Sequence, residues 1–143
     1  MPTVQKSIRI QERTIKEIKQ IARDSGKEFS SVANQLLEEA VRMQRCPGVI
    51  FTDGTSGRRA RIAGTGIEVW ELIATYKGVG ENFKRLQKAY HWLTEQQLRA
   101  AIGYYRIYPE DIDRLIRQNE TLTKKHVHER YPFLARGNPR GNR

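Results

Sequence analysis

The chain has 143 residues, 38% hydrophobic and 29% charged, which is room for one ordinary domain or two small ones and too little for a large enzyme. Lysine and arginine number 26 against 16 acidic residues, and the resulting charge of +10 points to a polyanionic partner: nucleic acid, an anionic membrane surface or an acidic protein pocket. No run approaches the ~18 apolar residues of a membrane span, and Met1-Pro2-Thr3-Val4-Gln5-Lys6 lacks the apolar core of a secretory signal. A cytoplasmic protein is therefore expected, and its single cysteine, Cys46, excludes an internal disulfide.

From Thr3 to Ile10 the pattern alternates. Val4, Ile8 and Ile10 would share one face of a strand and Gln5, Ser7 and Arg9 the other, with Lys6 interrupting the apolar side. From Arg13 the period becomes helical, through Ile15, Ile18, Ile21 and Ala22, and Gly26 suits a left-handed C-cap. A second helix follows through Phe29, Val32, Ala33, Leu36, Leu37, Ala40 and Val41, with Ser30 or Ser31 available as N-cap, and Cys46-Pro47-Gly48 stops it. One strand and two helices cannot close a core. A second copy would supply both a strand partner and the missing apolar surface, so an obligate homodimer is expected over residues 1–46. Gln5, Ser7 and Arg9 would then face outward twice, with side chains suited to base edges in the major groove.

This segment resembles the ribbon-helix-helix family of repressors and antitoxins through V-Q-K-S-I-R-I, I-K-E-I-K-Q-I-A-R-D-S-G and F-S-S-V-A-N-Q-L-L-E-E-A-V. The resemblance implies base reading by Gln5, Ser7 and Arg9. It also implies a phosphate contact at the start of the second helix, at Ser30 and Ser31, where free amides and the helix dipole favour an anion. The competing readings are the solvated side of an edge strand and an ordinary helix cap.

Residues 47–119 read as a small helical domain. Val49-Ile50-Phe51 and Ala60-Arg61-Ile62 flank Asp53-Gly54-Thr55-Ser56-Gly57, which predicts a short β-hairpin. The glycines here match no phosphate-binding loop. Helical faces follow at Val69, Trp70, Leu72, Ile73 and Tyr76, then at Phe83, Leu86 and Tyr90. Thr94-Glu95-Gln96-Gln97 is a capping box ahead of Leu98, Ala101, Ile102 and Tyr105, and Pro109 suits the start of a last helix with Ile112, Leu115 and Ile116 inward. The spacing over residues 82–107 matches a helix-turn-helix. Gln96, Gln97 and Arg99 are therefore a second candidate DNA contact, against the plain reading of a solvated helix face. Trp70 and Trp92 are expected in core or interface.

The same stretch resembles a small bacterial domain of VapB-type antitoxins. Its string runs through Pro47-Gly48-Val49, then Ile62-Ala63-Gly64-Thr65-Gly66-Ile67-Glu68-Val69, then Tyr90-His91-Trp92-Leu93-Thr94-Glu95. Gly66 stands where the family has arginine, and Glu68 and His91 stand where it has proline. The resemblance implies a toxin partner with a PIN-like nuclease fold.

Residues 120–143 read as a basic flexible tail. In it, Tyr131, Phe133 and Leu134 form an apolar cluster among Arg136 and Arg140, the composition of an anchor with arginine forks; they are expected to bind the toxin, with arginines entering a carboxylate-lined nuclease site, and the competing reading is a structural ending that folds back onto the protein's own surface. His126 and His128 lack further ligands for a metal site, and no serine or cysteine has an evident base, so no catalytic residue, metal or cofactor is expected.

The expectation is a mainly α protein: a ribbon-helix-helix unit of one strand and two helices forming an intertwined dimer, then a helix-turn-helix-like domain with a short hairpin. Its expected function is that of an antitoxin that neutralises a PIN-like ribonuclease and represses its own operon. A stand-alone repressor without a toxin, and an RNA-binding accessory protein, are the alternatives.

Overall fold

A computed structural model describes residues 2–54 and 57–130, with side chains through residue 122. The chain divides into two units, Met1–Arg45 and Cys46–Arg143.

The first unit is a helix pair. α1 (Glu12–Ser25) ends where Gly26 takes a left-handed conformation, φ 64°, and its N–H donates to the carbonyls of Ala22 and Arg23. α2 (Phe29–Arg45) packs against α1, and Ala22 and Val32 are the buried apolar residues of the pair.

The expected N-terminal strand is absent. Residues 2–11 carry no regular secondary structure, and the chain opens with two helices instead of strand-then-helix. The ribbon-helix-helix arrangement, and the intertwined dimer built on its strand, therefore do not describe this fold. A strand needs a backbone ladder. The two strands found among the described residues pair with each other, which leaves residues 2–11 no ladder to join.

The second unit begins with the hairpin β1 (Val49–Gly54) and β2 (Gly57–Ile62), antiparallel and in register from Val49 opposite Ile62 to Gly54 opposite Gly57. Val49 and Phe51 share a face with Ala60 and Ile62 and pack on the core. Four helices follow: α3 (Val69–Gly78), α4 (Phe83–Ala89), α5 (Glu95–Ile107) and α6 (Pro109–Arg130). α3 is central, touching α4, α5, α6 and β2. Val69, Leu72, Ile73, Leu86, Leu98, Ala101 and Ile112 are fully buried around it, each larger aliphatic contributing about 1.5–3 kcal/mol by leaving water.

The capping box at α5 forms in full. The Gln97 N–H donates to Thr94 Oγ1 at 3.1 Å, and the Thr94 N–H donates to Gln97 Oε1 at 2.9 Å. On α5, Tyr104 takes the buried position and Tyr105 lies half-buried, where its hydroxyl donates to Asp113 Oδ1 at 2.8 Å. α6 continues to Arg130, past the point at which composition suggests a tail. Among the described residues no helix is long and apolar enough to cross a membrane.

Candidate functional site

In the first unit Gln5, Ser7 and Arg9 are exposed, as are their neighbours Val4, Ile8 and Ile10. Ser30 and Ser31 are exposed too, but α2 starts at Phe29, so both serines lie inside its first turn and neither is the N-cap. The Val32 N–H already donates to the Glu28 carbonyl at 3.1 Å.

The second candidate contact lies at the start of α5. Gln97 is committed to the capping box. Arg99 pairs with Glu95 at 2.8 Å, and its guanidinium carbon sits 4.5 Å from the centre of the Phe83 ring. Gln96 is exposed. Trp92, expected in core or interface, lies outside the core, 61% exposed in the turn between α4 and α5, with the rings of Tyr90 at 5.4 Å and His91 at 5.1 Å. Its neighbours Tyr90 and Leu93 pack against the core instead.

Pro47-Gly48-Val49 and residues 62–69 meet in space. Val49 pairs with Ile62, and the Ala63 N–H donates to the Gly48 carbonyl at 2.9 Å. Thr65 Oγ1 donates to the Ile62 carbonyl at 2.8 Å and accepts from the Ile67 N–H at 3.0 Å, which closes the turn from β2 into α3. Gly48 has φ 97°, and a Cβ there would lie 3.0 Å from Ala100 Cβ, so this position needs glycine for both conformation and space. These residues build the hairpin–helix junction.

A polar grouping lies on the outer face of the hairpin. Thr52 is opposite Arg59, and Arg61 bridges to Glu68. Arg59 Nε is 3.5 Å from Glu68 Oε1, an ion pair without hydrogen-bond geometry. Glu68 Oε1, Arg61 Nε and Thr52 Oγ1 are buried without a hydrogen-bond partner among the described residues. Burial raises the Glu71 carboxyl above its ordinary 4.5, opposed by the bond to the Glu68 backbone and reinforced by the Glu68 carboxylate. The grouping borders a cleft of about 180 Å³ lined by Gly54, Arg59, Glu68, Trp70 and Leu115, among others. A polar cleft of this size has space for water to satisfy such groups.

The expected toxin-binding residues Tyr131, Phe133, Leu134, Arg136 and Arg140 lie outside the described residues. Among the described residues no cluster of three or more His, Cys, Asp or Glu side chains can hold a metal ion.

No curated protein matches the chain. A crystal structure at 2.00 Å of a DUF433 member protein from Anabaena variabilis ATCC 29413 is 34% identical, aligned over 75% of this chain and 98% of that one, with a TM-score of 0.42. Residues 49–105, from β1 to within α5, match the family described as protein of unknown function DUF433, and the hairpin with the first helices of the second unit is thus a DUF433 segment.

Proposed function

We propose that the protein is the antitoxin of a type II toxin–antitoxin pair: a cytoplasmic homodimer that binds its own operator through the first unit and holds a PIN-like ribonuclease. The observation that carries the reading is the exposure of the first unit. Gln5, Ser7 and Arg9 lie on its surface, and so do Val4, Ile8, Ile21, Leu37 and Val41. Those three polar side chains supply donors and acceptors of the kind that read base edges. The apolar side chains are surface that a second copy would cover through the faces of α1 and α2. The charge of +10 supports a polyanionic ligand, and the VapB-type string supports the toxin.

Mobility-shift titration on the DNA upstream of the protein's own gene tests the first half. Arg9→Ala is expected to lose about 1–3 kcal/mol of discrimination at one base position per half-site. Equal loss on random sequence makes Arg9 a phosphate contact, and absence of any preference for the upstream DNA refutes operator binding. Co-expression with the neighbouring gene tests the second half. A toxic neighbour that co-purifies and is silenced supports the antitoxin, whereas a harmless neighbour that does not bind leaves a stand-alone repressor.

A further inference from the structure

Gly103 stands in the middle of α5, where glycine costs stability relative to alanine. Nothing in its own surroundings requires it. Its φ is not left-handed, and a Cβ placed there would meet no atom within 4 Å. The missing side chain instead opens a groove of about 280 Å³ lined by Tyr76, Phe83, Ile102 and Gly103, with Arg99 and Arg106 beside it. Arg99, Gly103 and Arg106 follow one another at steps of one helical turn and so share a face of α5. Glu95 and the Phe83 ring hold Arg99 in place, while Arg106 has no ion-pair partner among the described residues.

We infer that this groove is the docking site for an acidic amphipathic helix of the protein partner, with an apolar side chain seated over Gly103 and carboxylates one turn to either side meeting Arg99 and Arg106. Charge selects the occupant. From Phe83 to Ile107 the chain has five basic residues, Lys84, Arg85, Lys88, Arg99 and Arg106, and one acidic residue, Glu95. A second copy docking here would set like charges against each other. Nucleic acid would meet the arginines but has no apolar group to fill the floor of Tyr76, Phe83 and Ile102. A helix does both, and the notch at a glycine lets two helix backbones approach closely. The inference rests on the reading that this protein holds a protein partner and is independent of operator binding.

The test uses the full chain and a fluorescent helical peptide of about four turns, with Leu flanked on its own face by Glu one turn before and one turn after. A control peptide has the same composition with the Leu moved to the opposite face. The designed peptide is expected to bind, and Gly103→Leu and Arg106→Glu to weaken it by about tenfold or more each. Gly103→Ala guards against misfolding: it is expected to raise Tm by about 3–6 °C while still lowering peptide affinity, an opposition that damage to the fold cannot produce. The inference is overturned if wild type ignores the peptide, if the control binds equally, if Gly103→Leu binds like wild type, or if a DNA duplex displaces the peptide from the groove. Any of these with operator binding and toxin capture intact removes the groove alone; failure of toxin capture removes the reading beneath it.

Discussion

Glu81 is the non-glycine residue with a positive φ, 58°, among the described residues. It follows Gly80, φ 67°, and together they reverse the chain after α3, with the Glu81 N–H donating to the Tyr76 carbonyl at 2.8 Å and the Gly80 N–H to Lys77 at 3.1 Å. This is the crossed pair of bonds that closes many helices, usually on glycine. An L side chain there strains the backbone, so Glu81→Gly is expected to stabilise the fold by about 0.5–1 kcal/mol in denaturant titration; a destabilised variant would show that the Glu81 side chain contributes more than its strain costs. Gly103 is the reverse case, a glycine with ordinary helical φ and open space around it. The sequence shows an isolated glycine in a helix but not whether the fold requires it.

Among the elements, α3, α5 and α6 are tied by one polar cluster. Lys77 Nζ donates to Asp113 Oδ1 at 2.9 Å, Tyr105 donates to the same oxygen at 2.8 Å, and the Lys77 ammonium lies 5.0 Å from the Tyr105 ring centre. The Tyr105 hydroxyl and the Asp113 carboxylate raise Lys77 from 10.5 to about 12. Lys77, and then Tyr105, hold Asp113 below its ordinary 3.8. The signs set the pH window. Asp113 contributes stability above about pH 3.8 and loses it as pH falls through its lowered value; Lys77 contributes below about pH 10.5 and loses it as pH rises toward 12. Asp113→Asn is therefore expected to flatten the acid limb of a Tm-against-pH curve, with only a small loss at neutral pH because the pair is partly exposed. An unchanged acid limb would show that Asp113 does not set it. Sequence periodicity pointed to Tyr105 as the core tyrosine. Tyr104 is buried beside Leu98, Ala101 and Ile102, with its ring 6.2 Å from the Phe51 ring of the hairpin, while Tyr105 lies half-buried against the same core.

Across the whole molecule the two units differ in how far they satisfy themselves. The second has a buried core shared by the hairpin and four helices. The first buries Ala22 and Val32 while Leu37 and Val41 on α2 stay more than half exposed. Leu37→Glu with Val41→Glu is expected to leave helix content intact by circular dichroism and to reduce the light-scattering mass from that of a dimer to that of one chain. A dimer that survives both charges would place the self-association elsewhere, and a monomeric wild type would refute it.

Much of the architecture was readable from residue order. The left-handed Gly26, the capping box at Thr94, the hairpin about Asp53-Gly54 and the apolar faces of the helices depend on neighbours within a turn or two, so a local pattern carries them. Function-bearing surface was much less legible. Alternation alone predicted a strand over residues 3–10, and it failed because a strand exists only through a partner that sequence does not display. The exposure of Trp92, the stacking of Arg99 on the Phe83 ring, and the groove beside Gly103 depend on how other elements pack and what they leave uncovered. Residue order alone carries the helices, the turns and the basic charge, since these follow from local backbone preference and composition. Which side chains remain available is settled in three dimensions, because availability is whatever packing between distant segments does not use.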